Sequence, residues 1–417
     1  MLERICGWVI RKKIIGQIGI LEISSSSVKP YVIVLKKDRD KELFEELENI
    51  DIGTAICFEG ELSEKQISKR GIEYVVKKIV VYSKPIEPLP VDIVGKVPSL
   101  LDTRVKYRYL LLRNPVEKAI IRIRFNIVEA ARKFLVENGF IEIHTPKIVA
   151  AGAEGGATLF PIQYFENTAY LSQSPQLYKQ LLVTSIPKVF EITPYFRAEK
   201  FNTVRHLNES WGIDAEIGFI DSEEDVMNIL ENLVAYIINY VREKCVDELE
   251  ALNIDLKPVS TPFKRLTFRE AVDILNSEGI YVDPNEDLSD AAEKKLGEIM
   301  VEKGHMLYFI TKYPWKASGF YYMRDNNYTR KFDLDYKGLE IASGGQREHR
   351  LEKLIEAMID KGLKPENFSF YLEAFKYGIP PHGGFGLGLE RLIMKMLDLN
   401  NIREATVFVR DRTRLIP

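Results

Sequence analysis

Between residues 5 and 83 the apolar positions come in short alternating runs, at 5–10, 18–23, 31–35, 55–60 and 73–82, separated by Gly and Ser turns. Alternation at period two, rich in β-branched and aromatic side chains, predicts strands, and five short strands predict a small β-barrel or sandwich. Residues 84–90 then carry three prolines in seven residues, which fix φ and remove amide donors, so a linker is expected there. From Pro115 the period changes: Ile120, Ile123, Ile127, Ala131, Phe134 and Leu135 recur at helical spacing, Pro115 suits a first turn and Gly139 follows the last, which predicts one long amphipathic helix. Strands are expected at 140–146, 189–196, 211–220, 332–341 and 383–388. A helix with a capping-box start at 222–225 carries Val226, Leu230, Leu233, Ile237 and Val241 on one face, and a last helix follows at 389–397. Strands in runs, without regular βαβ alternation, predict an α+β chain: a barrel at 1–83, a connecting segment at 84–114, and a domain at 115–417 built on a mostly antiparallel sheet flanked by helices.

Composition narrows the class. The chain has 417 residues, Lys+Arg 58 against Asp+Glu 61, 46% hydrophobic and 29% charged side chains, the profile of a globular protein and not of a disordered or fibrous one. No apolar run approaches the roughly 18 residues that span a bilayer, so no membrane insertion is expected. Cys6, Cys57 and Cys245 are far apart in sequence and odd in number; no zinc or redox spacing is present, no disulfide is expected, and a reducing cytoplasm fits. The net charge of −3 argues against a surface that grips nucleic acid everywhere. Residues 1–95 hold 15 basic and 15 acidic side chains.

Candidate chemistry lies on separated segments. A P-loop, a Gly-x-Ser-x-Gly elbow and paired metal histidines are all absent. Residues 196–216 concentrate Arg197, Glu199, Arg205, His206, Asp214 and Glu216 on two predicted strands and their connection; residues two apart on a strand share a face, so Asp214 and Glu216 point together. Asp333, Glu340, Ser343 and Arg347 surround the small residues 342–345, where hard oxygens suit Mg²⁺ and a guanidinium fork suits a carboxylate. Ser174, Gln176 and Lys179 sit at a predicted helix start, and Arg391 opens the last helix after the glycine-rich 384–388. Arginines on separate segments, acidic pairs and glycine-lined strands point to a nucleotide site in which Arg and Mg²⁺ meet phosphate charge.

These segments, in this order, resemble the class II aminoacyl-tRNA synthetases, within them the aspartyl, asparaginyl and lysyl subgroup, and most of all archaeal-type aspartyl enzymes. Residues 140–146 resemble motif 1, 196–216 motif 2 and 384–391 motif 3. The resemblance implies an OB-like anticodon-binding barrel, a homodimer with Pro146 at its interface, and activation of L-aspartate by ATP and Mg²⁺ before transfer to tRNA. It implies that Arg197 and Arg391 stabilise the reacting phosphates, that Glu199 accepts from the adenine amino group, and that Arg205 and His206 serve the ATP site. It gives Glu340 and Ser343 to Mg²⁺, with Asp333 in support. Arg347 and Lys179 would grip the substrate side chain, and Ser174, Gln176, Asp214, Ser343 and Glu154 would line the rest of the amino-acid site. Ser210 stands where the family carries an aromatic residue. An asparaginyl enzyme, an asparagine-forming paralogue and a catalytically silent tRNA-binding paralogue remain as alternatives. All of this requires Lys179, Arg197, Arg347 and Arg391 to converge on one anion-binding pocket.

Overall fold

A computed structural model describes residues 2–68, 70–150, 159–200 and 203–417. The chain divides into two compact units. One comprises Met1–Phe125, Arg242–Leu256 and Ile416–Pro417; the other comprises Asn126–Val241 and Lys257–Leu415.

In the first unit Glu3–Ile15 (β1), Ile18–Ser24 (β2), Tyr31–Lys36 (β3), Ala55–Leu62 (β4) and Ile72–Ser83 (β5) form a closed barrel in the order β1-β2-β3-β5-β4. Its interior is filled by alternate residues, among them Val9, Leu21, Ile23, Ile33, Ile56 and Phe58, as the period-two pattern requires. The helix Lys41–Glu48, which the sequence reading did not anticipate, packs Phe44 and Leu47 into the same core. Residues 84–114 do more than connect: Val91, Ile93 and Leu111 form a small cluster with Ile10. The expectation about cysteines is overturned. Cys6 and Cys57 are register partners on β1 and β4 and form a disulfide. Their 51-residue separation hid an adjacency that only strand pairing creates.

The long helix spans Pro115–Glu137. Gly139 stops it at φ 81°, a left-handed position that favours glycine. The Gly139 amide donates to Val136 O (3.0 Å) and the Phe140 amide to Leu135 O (3.0 Å), a Schellman cap that satisfies the last carbonyls.

The second unit is organised by an eight-stranded sheet. Its strands are Ile141–Glu142 (β6), Lys188–Phe196 (β7), Glu209–Gly218 (β8), Lys264–Thr267 (β9), Leu307–Thr311 (β10), Lys331–Tyr336 (β11), Glu340–Gln346 (β12) and His382–Gly388 (β13), in the order β9-β10-β11-β12-β13-β8-β7-β6. The pairs β9–β10 and β6–β7 are parallel and the central pairs antiparallel. The strand expected at 332–341 is in fact two strands, β11 and β12, because the chain turns at Lys337 and Gly338, both with positive φ. The helix Glu223–Lys244 starts as its sequence predicts: Asp225 accepts from the Ser222 amide, and Ser222 Oγ from the Glu224 amide. Its face of Val226, Leu230, Leu233, Ile237 and Val241 is fully buried.

Candidate active site

The hairpin β7–β8 pairs Tyr195 with Ser210 and Ile192 with Ile213. Side chains alternate, so Ile213, Ala215 and Ile217 face the apolar layer while Asp214 and Glu216 share the other face with Gly212. Tyr195 lies over Gly212, where a Cβ would stand 1.9 Å from its Oη, and its hydroxyl donates to Asp214 Oδ2. On the neighbouring β13, Gly384 makes the matching space: a Cβ there would stand 2.1 Å from Glu216 Oε2. The glycine-rich strand is thus required by the carboxylates it faces.

Those carboxylates are already paired. Lys179 Nζ donates to Asp214 Oδ1 (2.9 Å), Phe385 O (2.9 Å) and Ala215 O (3.3 Å), which uses all three of its donors. Arg347 Nε donates to Glu216 Oε1 (2.9 Å), and its Nη2 to Gly384 O (2.9 Å) and Gln176 Oε1 (3.3 Å). Tyr321 and Tyr322 lie under the guanidinium at 5.4 and 5.0 Å. Burial would raise Glu216, but Arg347 and Lys179 hold it below the ordinary carboxylate range. Two polar atoms here are buried without a hydrogen-bond partner, Arg347 Nη1 and Gln176 Nε2. Such groups are costly unless a ligand meets them.

Beside this lattice lies a cavity of about 490 Å³. Ser174, Gln176, Arg197, Glu199, Arg205, His206, Asp214, Glu340, Ser343 and Arg391, all singled out in the sequence, line it. Lys179 and Arg347 do not: the expected convergence of four cations holds for Arg197 and Arg391, while the other two are nearly fully buried among acceptors. Every N–H of Lys179 is committed to a protein acceptor, so a substrate carboxylate would have to share or displace one of these bonds. Glu154 lies outside the described residues.

A smaller cavity of about 170 Å³ shares Arg205, His206, Asp287, Glu340 and Arg391 and adds Asp290, Glu293, Asp333 and Asp335. Arg205 pairs with Glu293 and with Asp290 (3.2 Å), and Glu293 also accepts from the Glu340 amide. Arg391 Nη1 donates to Glu340 O at 2.9 Å. Burial would raise Glu340, but Arg391, Lys331 and Arg197 together hold it low and ionised. Burial, with Arg391 and Arg205 nearby, drives His206 down to about 4, so its ring is neutral near pH 7. Burial also raises Glu199, and it pushes Asp333 up to about 6 against the opposing pull of Lys331.

A cation at this end is suggested by the donor set. The register of β11 and β12 sets Asp333 opposite Ser343 and Asp335 opposite Glu340, with an irregularity between. Asp333 Oδ1 is buried and has no hydrogen-bond partner. Among the described residues no three His, Cys, Asp or Glu side chains form a ready cage. One carboxylate, one hydroxyl and substrate oxygens nonetheless suit Mg²⁺, which keeps few protein ligands when it binds with phosphates.

Sequence reasoning missed Lys331, Tyr195 and Glu293. Lys331 stands two before Asp333 on one strand, which already places both on one face. Tyr195 could have been found from the glycine at 212, across and two along the hairpin. Glu293 sits in the stretch 262–330, whose pattern carried no site signal.

With this geometry in view, residues 101–412 match the family described as tRNA synthetases class II (D, K and N). The aspartate–tRNA(Asp) ligase of Pyrococcus furiosus is 49% identical over 99% of this chain and 96% of its own length. The aspartate–tRNA(Asp/Asn) ligase of Methanopyrus kandleri is 47% identical over 99% and 96%. The crystal structure of asparaginyl-tRNA synthetase from Pyrococcus horikoshii with asparaginyl-adenylate superposes with a TM-score of 0.92 at 33% identity, covering 100% of this chain and 96% of that one. A cavity lined from separated segments, two of the three motifs among them, on a central antiparallel sheet, and relatedness along the whole length place the chain in the class II aminoacyl-tRNA synthetases of the aspartyl, lysyl and asparaginyl group.

Proposed function

We infer that the chain is an aspartate–tRNA ligase. The observation that carries this reading is Arg347: a buried guanidinium, held by Glu216 beside Gln176, with one N–H group left without a partner. A substrate carboxylate supplies the missing acceptor with a full charge, whereas a neutral amide supplies a weaker one.

In this reading the α-carboxylate of aspartate attacks the α-phosphorus of ATP, the bond to pyrophosphate breaks, and aspartyl adenylate forms. A ribose hydroxyl at the tRNA terminus then attacks the aspartyl carbonyl and AMP leaves. The chain offers no nucleophile of its own; it positions reactants and neutralises charge. Arg197 and Arg391, both on the cavity wall, stabilise the reacting phosphates. Glu199 accepts from the adenine amino group. Neutral His206 serves the terminal phosphates as an N–H donor, not as a cation, and Arg205 is oriented by Glu293. Asp214, fixed by Lys179 and Tyr195, meets the substrate ammonium together with Gln176 and Ser174. Glu340 and Ser343 would hold Mg²⁺, which supplies Lewis-acid stabilisation of phosphate charge.

The five-stranded barrel is assigned to anticodon recognition as an OB-like module, the Pro146 segment to a homodimer interface, and the site of action to the cytoplasm. No helix among the described residues is long and apolar enough to cross a membrane. The test is aspartate-dependent exchange of pyrophosphate into ATP beside an asparagine control, followed by charging of tRNA(Asp) and tRNA(Asn). Exchange with asparagine alone, or amide formation without charging, overturns the assignment.

A further inference from the structure

The larger cavity contains a cation that neither the motifs nor the reaction scheme above uses. Lys331 opens β11, is 8% exposed and lines the cavity with Glu340, Ser343 and Arg391. Its ammonium donates to Asp333 Oδ2 at 2.7 Å and sits 3.8 Å from the centroid of the Tyr313 ring. The other oxygen of Asp333 is buried without a hydrogen-bond partner, on a residue that lines the smaller, acid-rich cavity. Asp287 lines both cavities.

A triphosphate brought to this end meets Asp287, Asp290, Glu293, Asp333, Asp335 and Glu340. Arg205 is committed to Glu293 and Asp290, and Arg391 bonds the Glu340 carbonyl. Like charges at close range in a partly dehydrated site repel strongly unless a cation intervenes. Divalent ions from solution can fill that role, but a fixed ammonium on a strand is already in place and needs no capture from solution.

We propose that Lys331 is a further nucleotide-positioning residue: it cancels Asp333 and presents a resident positive charge to the phosphate end of ATP, so that fewer divalent ions are needed for ATP to bind. The proposal rests on the nucleotide reading of the site. It assigns Asp333 to restraining an ammonium, not to supporting a metal, and the two assignments predict opposite signs for one variant.

The experiment is calorimetric titration of ATP into the full chain over a series of free Mg²⁺ concentrations. The unmodified chain, Lys331→Met, Lys331→Arg and Asp333→Asn are compared, with thermal unfolding as a control for folding. Lys331→Met raises the Mg²⁺ concentration for half-maximal ATP affinity by about tenfold, the effect of leaving one nearby carboxylate unpaired, and steepens the plot of log affinity against log free Mg²⁺. Lys331→Arg keeps the unmodified behaviour. Asp333→Asn uncovers the ammonium and lowers the half-maximal Mg²⁺ concentration. Should Lys331→Met fail to fold, the sign of the Asp333→Asn shift decides alone. An unchanged Mg²⁺ dependence in a folded Lys331→Met, or a raised requirement in Asp333→Asn, overturns the proposal. Absence of ATP binding by the unmodified chain overturns the nucleotide reading itself.

Discussion

Glu340 and Ser343 lie on the same face of one strand although they are three positions apart. Regular alternation would put them on opposite faces. The register of β12 against β11 slips between Leu334 and Asp335, so that Glu340 and Ser343 each stand opposite a carboxylate, Asp335 and Asp333, on one side. A β-bulge re-aims a side chain in this way. Glu340→Gln is expected to raise the Mg²⁺ needed for half-maximal pyrophosphate exchange by at least the roughly 10–100-fold that even outer-shell losses cause. Exchange measured across a Mg²⁺ series checks it, and an unchanged half-maximum removes Glu340 from metal binding.

Arg347 and Glu216 form a buried pair in which each is the other's main counter-charge. Removing one partner strands the other, so Arg347→Met lowers stability by about 3–5 kcal/mol and abolishes aspartate-dependent exchange. In Arg347→Met/Glu216→Gln the stranded charge is gone. Denaturant unfolding of that double variant recovers much of the loss, while exchange stays absent.

Gly384 has no room for a methyl group, since its Cβ position lies 2.1 Å from both Glu216 Oε2 and Ala215 O. Gly384→Ala therefore displaces Glu216, costs about 1–3 kcal/mol as overpacking does, and weakens aspartate binding more than ATP binding. Equilibrium binding of the two substrates to the folded variant distinguishes this from general loss of structure.

His382 is fully buried, with Nδ1 against Pro380 O (2.9 Å) and Nε2 against Gln180 Oε1 (3.1 Å). Burial drives it down to about 4, below the ordinary value of about 6.5 in an unfolded chain. Between those values the unfolded state binds the extra proton, so stability falls as pH drops from about 6.5 to about 4. Replacing the ring by His382→Gln removes about one proton from the slope in that window, ~1.4 kcal/mol per pH unit. Urea unfolding as a function of pH reads it directly, and a slope identical to that of the unmodified chain refutes it.

The Cys6–Cys57 bond closes a 51-residue separation within the barrel. Cys6→Ser is expected to lower barrel stability by about 2–4 kcal/mol under oxidising conditions and to leave aspartate-dependent exchange unchanged. Unfolding with and without reductant, beside the exchange assay, separates the two effects.

Much of this was legible in the chain itself. The helix Pro115–Glu137 announced both of its ends, because a proline and a glycine mark termini through backbone chemistry alone. Arg197, Glu199 and Asp214, which reach the cavity wall, were singled out because charges crowded on a predicted hairpin otherwise fit for burial need a reason to be there, and Arg391 because it follows a glycine-rich strand. What stayed hidden depends on pairing between distant segments. The Lys337–Gly338 turn was masked by strand-like alternation on both sides, the bulge by a one-residue slip that no periodicity reports, and the disulfide by strands far apart in sequence. The bonds of Lys179 were hidden as well, because its three protein acceptors come from β8 and β13, which the sequence does not bring together.

Asp214, Glu216, Asp333, Glu340 and Ser343 are carried on β8, β11 and β12, which with β13 are four consecutive interior strands of an eight-stranded sheet. Amide protons in such strands reach solvent only when the whole sheet opens, whereas peripheral strands fray alone. The floor beneath the substrates is therefore expected to have no private mode of melting: its hydrogen-exchange protection should match the free energy of opening the whole sheet, and heat should extinguish catalysis together with the second unit.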